Sequence, residues 1–354
     1  MTQSSLTSLQ PGKIALFGSG ETAPSGRQMH EAIFRELSQP IRVAILETPA
    51  GFQPNSAWVA GRLAEFIEQK LHDYHPQVEL VPARRRDGPF STDDQDVAAA
   101  LLSANYVFAG PGSPTYAVNH LAESWTWHVV QARQRRGAAM ALASATAIAA
   151  GAHTLPVYEI FKVGSDLHWQ PGLDLLGPYG LELAIVTHWN NQEGGANLDT
   201  SRCFVGAERM ARLEAMLPPT TTVLGIDEHT AISLDFADMV AQVMGQGSVT
   251  VRHAENERRF ESGEAFDLDV LGAVRLPSLD EGLPNEVIRV ILAAEHPKEE
   301  TLAPEVSALL EEREAARRAR NWARADAMRD ELARRGYIIE DTPEGPRLRQ
   351  AAPA

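Results

Sequence analysis

Residues Ala138–Gly151 read AAMALASATAIAAG, and the change of pattern inside this stretch decides the fold. AAMALAS is a short apolar run of strand length, whereas ATAIAAG is a run of small residues suited to a closely packed helix. The junction falls on Ser144. Alanines at 143, 145 and 147 would let a strand turn sharply into a helix packed against it, which is the layout a nucleophile elbow needs. Leu142 and Thr146 stand where the usual elbow has glycine, and a buried helix without chemistry is the other reading of the same residues.

Outward from this stretch, similar apolar runs recur: KIALFG from Lys13, RVAILET from Arg42, VELVPA from Val78, YVFAG from Tyr106, LELAIVTH from Leu181 and TVLGID from Thr222. Between them SAWVAGRLAEFIEQKL, QDVAAALLSA, SPTYAVNHLAESWTWHVVQARQ and AERMARLEAML have the apolar spacing of amphipathic helices. Strands alternating with helices predict an α/β fold, a doubly wound and mostly parallel sheet covered by helices. After Ala231, ISLDF, GSVTVRH and ERRFESGEAFDL alternate with Gly turns and predict a small antiparallel extension of the same domain. PEVSALLEEREAARRARNWARADAMRDELARRG, from Pro304 to Gly336, predicts a helical hairpin broken near Asn321 and Trp322. The expected organisation is a disordered lead over 1–12, an α/β domain over 13–281, a helix and linker over 282–304, and a helical tail over 305–354.

The bulk numbers narrow the function classes. A formal net charge of −15 opposes wrapping a phosphate backbone, so any nucleic-acid contact must be local. The single cysteine, Cys203, allows no intramolecular disulfide and no multi-thiolate metal site. No HExxH or P-loop pattern occurs, and neither a metal nor another cofactor is expected. The opening MTQSSLTSLQPGK has no secretory pattern, and no apolar run approaches the roughly 20 residues of a membrane span. A cytoplasmic protein without membrane contact is the expectation.

In open parallel sheets ligands gather beyond the C-terminal strand ends. LELAIVTH ends on His188 and enters the polar loop WNNQEGGAN. An imidazole there could act as general base, or be a hydrogen-bonded core histidine. TVLGID delivers Asp227 and Glu228, either of which could orient that imidazole or simply shape a turn. YVFAG runs into PGSPTYA, placing Gly112 at a tight turn whose amide, with that of Ala145, could hold an oxyanion. Ser113, Asn190 and Asp227 are the candidate substrate contacts. GSGETA from Gly18 fits a dinucleotide fingerprint only formally, because no acidic strand end follows about 20 residues on, and it reads as a loop at the active edge or a turn. DLHWQPGLDLLGPYG could wall the pocket, or Trp169 could pack on the sheet; the basic turn at Arg84–Arg86 reads as a solvated loop.

FAGPGSPTYA, ALASATAIAAG, VTHW and GIDEHTA together resemble the cyanophycinase and dipeptidase E group of serine peptidases, over roughly the first 250 residues. The resemblance implies a class I glutamine amidotransferase-like fold, with Ser144 as nucleophile, His188 as general base and Glu228 as its partner. Asp227 is the fallback acid. Val186 and Thr187 replace the Asp-Gln pair that usually precedes the family's histidine. The tail EEREAARRARNWARADAMRDELARRGYIIEDTPEGPRLR resembles the C-terminal helical segment of cysteinyl-tRNA synthetases. The expected function is a serine hydrolase acting on a small peptide or amide through an acyl-enzyme. The alternative is a catalytically degenerate binding module whose tail docks RNA or protein. For the tail itself a hairpin reused for docking or homodimer formation is favoured over RNA contact, because arginines exceed acids by only two from Glu311 to Arg335.

Overall fold

The computed structural model describes residues 9–295, 304–342 and 345–350. The expected lead up to residue 8 and the linker over 296–303 lie outside these residues. The chain divides into two compact units, one reaching Glu295 and the other following it.

The first unit holds strands β1 (Ile14–Phe17), β2 (Arg42–Leu46), β3 (Gln77–Val81), β4 (Tyr106–Ala109), β5 (Ala139–Ala143), β6 (His153–Thr154), β7 (Gln170–Pro171), β8 (Leu183–Val186), β9 (Thr222–Ile226), β10 (Thr230–Asp235), β11 (Val240–Gly245), β12 (Ser248–His253), β13 (Asn256–Glu261) and β14 (Ala265–Asp267). They form two sheets. The first runs β14-β11-β10-β1-β5-β4-β2-β3, and the second β13-β12-β9-β8-β6-β7. In the first, β1, β5, β4, β2 and β3 are parallel, and β10, β11 and β14 continue the sheet antiparallel.

Alternation along the parallel strands explains the double winding. Ala15, Phe17, Val43 and Ile45 face one side, against Met29, Ile33 and Phe34 of helix Pro24–Phe34 and Leu63 and Ile67 of helix Ser56–Lys70. Ile14, Leu16, Ala44 and Leu46 face the other, in the cluster that holds Trp127, Val130, Val287 and Ile291 of helices Trp125–Arg135 and Asn285–Glu295. Each buried Val, Leu, Ile, Phe or Met side chain among these contributes about 1.5–3 kcal/mol when removed from water. Leu183, Ile185, Leu224 and Ile226 of the second sheet join this second cluster, whereas Ala184, Val186 and Val223 face a third core with Leu155, Ile160 and Leu213.

All seven strands expected from the sequence form, but not in a single sheet. LELAIVTH and TVLGID supply β8 and β9 of the second sheet. The helix expected over QDVAAALLSA is instead a set of turns and a 3-10 turn, Ala99–Leu102. Asp94 Oδ1 accepts the amides of Asp96 and Val97 at 2.9 and 3.4 Å, the pattern of a helix N-cap, yet the segment winds only as turns and a 3-10 turn before the chain enters β4. The long helix expected after Ser113 is two, Pro114–Leu121 and Trp125–Arg135. Glu123 has φ 56, and Ser124 Oγ caps the second helix by accepting from the Trp127 amide at 3.2 Å. Arg84 is not a solvated charge, for its Nε donates to the buried Glu47 carboxylate at 2.6 Å.

His30 is wholly buried under the first sheet. Its Nε2 lies 2.9 Å from the Glu21 carbonyl and must donate, so Nδ1 accepts from the Tyr106 hydroxyl at 2.5 Å. Burial lowers its pKa from 6.5 to about 4. The unfolded chain therefore binds the proton first as pH falls, and stability present above about 6.5 is lost down to about 4, by roughly 3 kcal/mol. Urea unfolding at pH 7 and pH 4.5 should show this loss, and His30→Gln should remove that part of the slope.

The second unit is a hairpin of helices Pro304–Arg318 and Trp322–Arg334 followed by a two-stranded ribbon, β15 (Tyr337–Thr342) with β16 (Gly345–Gln350). Asn321 caps the second helix, its Oδ1 accepting the Arg324 amide at 3.2 Å. The break near Asn321 and Trp322 stands as expected, whereas the ribbon is an addition to the expected helices. Among the described residues no helix is long and apolar enough to cross a membrane.

Candidate active site

Strand β5 ends at Ala143, and helix Ala145–Ala149 begins immediately after Ser144. Ser144 itself has φ 51 and ψ −111, a backbone state that costs a non-glycine residue about 1–3 kcal/mol. The neighbouring strand holds it there, since the Ser144 amide donates to the Phe17 carbonyl at 3.0 Å. Leu142 is buried in the strand, and the Thr146 hydroxyl donates to the Gly110 carbonyl at 2.7 Å. The two residues that replace the elbow glycines are thus accommodated, and Thr146 ties the helix to the turn that carries Gly112.

His188 follows β8 with φ 50, a second left-handed residue. Its Nε2 lies 3.0 Å from Ser144 Oγ, and its Nδ1 lies 2.9 Å from Glu228 Oε1. The ionised carboxylate can only accept, so Nδ1 carries the proton and Nε2 is free to accept the serine proton. Asn191 Nδ2 also donates to Glu228 Oε1, at 2.8 Å. The His188 bond, and then that of Asn191, hold the Glu228 carboxyl below its ordinary range against the opposing effect of burial.

Ser144 and its partners therefore come from two sheets. Helix Ala145–Ala149 carries the chain from β5 toward β6, which pairs with β8, and this short path brings the serine to the histidine. The expected convergence at one rim of one parallel sheet is corrected accordingly.

The other candidates divide. Gly112 and Ala145 line the same cavity as Ser144 and His188, of about 390 Å³. Neither of their amides donates to a backbone carbonyl among the described residues, whereas the Ser113 amide is taken by Pro49 at 3.0 Å. A Cβ on Gly112 would fall 1.8 Å from the Pro49 carbonyl oxygen, so only glycine permits this turn. Ser113 Oγ caps helix Pro114–Leu121, accepting the Tyr116 amide at 3.2 Å, and faces a neighbouring cleft rather than the serine cavity. Asn190 does not enter the cavity either; its Oδ1 accepts the Glu228 amide at 2.8 Å and so positions the acid. Asp227 is corrected both as fallback acid and as substrate contact. Its Oδ2 is buried on the Ser248 amide and hydroxyl, at 2.9 and 2.7 Å.

Asn191 is a positioning group that the sequence reading passes over, and Thr146, noted there only as a replaced glycine, is another. Between the adjacent asparagines of WNN, only folding decides which carboxamide turns inward. GSGETA lies at the active edge, as one of its two readings had it. A Cβ on Gly18 would fall 2.0 Å from the Asp227 carbonyl oxygen, and Ser19 Oγ accepts the His229 amide at 3.1 Å. Its glycines serve close backbone approach to the loop that carries Glu228. Glu21 is raised by burial, an effect that His188 and His229 oppose. Trp169 packs, donating Nε1–H to the Leu213 carbonyl at 2.8 Å. Cys203 also lines the cavity, but burial pushes its thiol up to about 12, which leaves it a poor nucleophile. Among the described residues no cluster of three or more His, Cys, Asp or Glu side chains is arranged to hold a metal ion.

A solved peptidase from an acI-B1 Actinobacterium superposes with a TM-score of 0.58 over 73% of this chain and 97% of its own, at 18% identity. The fold is shared with a known peptidase. The tail matches a different family: residues 299–349 fit the family model described as the cysteinyl-tRNA ligase anticodon binding domain. A cysteine–tRNA ligase of Brevibacillus brevis is 49% identical over 65 residues, 18% of this chain and 13% of that enzyme. That of Chlamydia felis is 30% identical over 184 residues, 48% of this chain and 36% of that enzyme. The chain thus spans about a third or less of the length of these relatives.

Proposed function

We propose that the first unit is a serine hydrolase that cleaves a small peptide or amide through an acyl-enzyme. The observation that carries this reading is the hydrogen-bonded chain from Ser144 Oγ through His188 to Glu228, with spacings of 3.0 and 2.9 Å, opening on a cavity. The likeness in fold to a peptidase supports it.

Ser144 Oγ attacks the scissile carbonyl carbon as His188 Nε2 takes its proton. Charge then develops on the carbonyl oxygen, where the amides of Gly112 and Ala145 stabilise it. The tetrahedral species collapses, the carbon–nitrogen bond breaks, and His188 passes its proton to the departing amine. Water, deprotonated by the same imidazole, attacks the ester carbon; the bond from that carbon to Ser144 Oγ breaks, His188 returns the proton to Oγ, and the acid leaves. Glu228 remains ionised throughout, fixing the imidazole tautomer and offsetting its transient positive charge. A fluorophosphonate probe should label Ser144 and leave Ser144→Ala unlabelled; absence of labelling in the intact chain would count against the proposal.

A second reading concerns the tail alone and is favoured by the family match over 299–349. We infer that it docks RNA. From Glu311 to Arg335 arginines exceed acids by two, so the electrostatic contribution is small. Binding of tRNA to the full chain should weaken only about tenfold between 50 and 200 mM salt, and vanish on truncation after Glu295. Equal binding by the truncated chain would assign any RNA contact elsewhere.

A further inference from the structure

The cavity beside Ser144 has walls that differ from its rim. Ile148 and Val157 are buried on one side, and Phe161 and Phe204 meet with ring centroids 5.4 Å apart. Pro114 and, from the loop after His188, Leu198 add to the apolar lining, and Tyr158, the one phenol among the lining residues, is exposed. The charged side chains among the lining residues, Lys162 and Glu193, are both exposed. Thr200, buried in the wall, already accepts the Gly194 amide through its hydroxyl at 3.0 Å. A polar substrate group entering this space would lose water and meet few groups to replace it.

The apolar wall is built together with the catalytic geometry. Arg202, Cys203 and Phe204 are successive left-handed residues, with φ of 58, 57 and 68. The Cys203 amide donates to the His188 carbonyl at 3.2 Å, and the Arg202 amide donates to the Trp189 carbonyl at 2.9 Å. The Arg202 guanidinium lies 4.0 Å over the Trp189 ring. The backbone that presents the imidazole thereby also fixes Phe204, whose ring centroid is 6.1 Å from that of His188. Three consecutive left-handed residues in an L-chain are costly, and here they aim one aromatic ring at the cavity.

We propose that this cavity receives a bulky apolar side chain on the acyl portion of the substrate, an inference that rests on the serine-hydrolase reading. The acyl group stays attached to Ser144 after the amine has left, so the space lined by Ser144, Gly112 and Ala145 accommodates it. Selectivity comes from burial of hydrocarbon, which is worth about fourfold in rate per methylene until the walls are filled.

The test compares N-acetyl-phenylalanyl and N-acetyl-aspartyl p-nitroanilides, with p-nitrophenyl acetate, butyrate and hexanoate as a graded series. The phenylalanyl substrate should exceed the aspartyl one in kcat/KM by about 100-fold or more, and the ester series should rise with chain length. Phe204→Ala should cut the hexanoate-to-acetate ratio about tenfold. Leu198→Asp, at an exposed position that tolerates charge, should lower the phenylalanyl-to-aspartyl ratio by a similar factor and guards against misfolding of the first variant. Fluorophosphonate labelling of Ser144, run in parallel, separates two failures. Labelling with an aspartyl preference or no preference would overturn the apolar assignment and leave the hydrolase standing; no labelling and no turnover would overturn both.

Discussion

Ser144→Ala should reduce kcat for amide or ester hydrolysis by on the order of 10⁴- to 10⁶-fold, and His188→Ala should cost about as much. The equality follows from geometry. A hydroxyl 3.0 Å from Nε2 is a useful nucleophile only when the imidazole takes its proton, and the imidazole has no task in the first step without the hydroxyl. The double variant should therefore be no slower than either single one. Residual turnover would come from the amides of Gly112 and Ala145 and from substrate binding. Steady-state rates of the three variants, with thermal unfolding as a control for folding, check this; additive losses would mean that the two groups act separately.

Glu228→Gln should lower kcat by about 10²- to 10⁴-fold with a smaller change in KM, because it preserves shape but removes the charge that fixes Nδ1–H and supports the imidazolium. Asn191→Ala should have an intermediate effect, since one of the two bonds to Glu228 Oε1 is lost while that from His188 remains. The acid side of the stability profile should respond too. The His188 bond, followed by that of Asn191, depresses the Glu228 pKa below 4.5, so its contribution to folding is present above about 4.5 and is lost as pH falls through the lowered folded value. In Glu228→Gln that loss should disappear. Urea denaturation between pH 6 and 3 measures it, and an unchanged profile would show that the depression is too small to matter.

Much of the architecture is legible because the relevant signals are local. Buried parallel strands need continuous apolar runs, and β1, β2, β4, β5, β8 and β9 announce themselves that way. Ser144 and His188 stand out because each ends one of those runs, whereas the run TVLGID ends on Asp227 and only the resemblance of GIDEHTA favours Glu228. Which strand pairs with which is a nonlocal matter. Nothing in LELAIVTH specifies that β8 joins β6 and β9 instead of extending the sheet of β5. Tertiary demands also override periodicity at QDVAAALLSA, which Asp94 caps but which winds only as turns and a 3-10 turn before β4. In the tail, YIIED is too short an alternation to separate from the preceding helix.

The site shows the same division. A carboxylate's chemical type is visible in GIDEHTA, but its aim is not. Asp227 and Glu228 are adjacent, and only the turn determines that the first is consumed by Ser248 while the second meets His188. Phe161 and Phe204 carry no motif. Phe204 reaches the cavity through three left-handed residues, a backbone state no propensity anticipates.

The most direct measurement is mass spectrometry of the chain quenched during turnover of a p-nitrophenyl ester, followed by peptide mapping. An acyl adduct on the peptide carrying Ser144, present in the intact protein and absent in His188→Ala, is the result expected. Turnover accompanied by an adduct on Cys203, or by an adduct on Ser144 that forms just as fast without His188, would contradict the account.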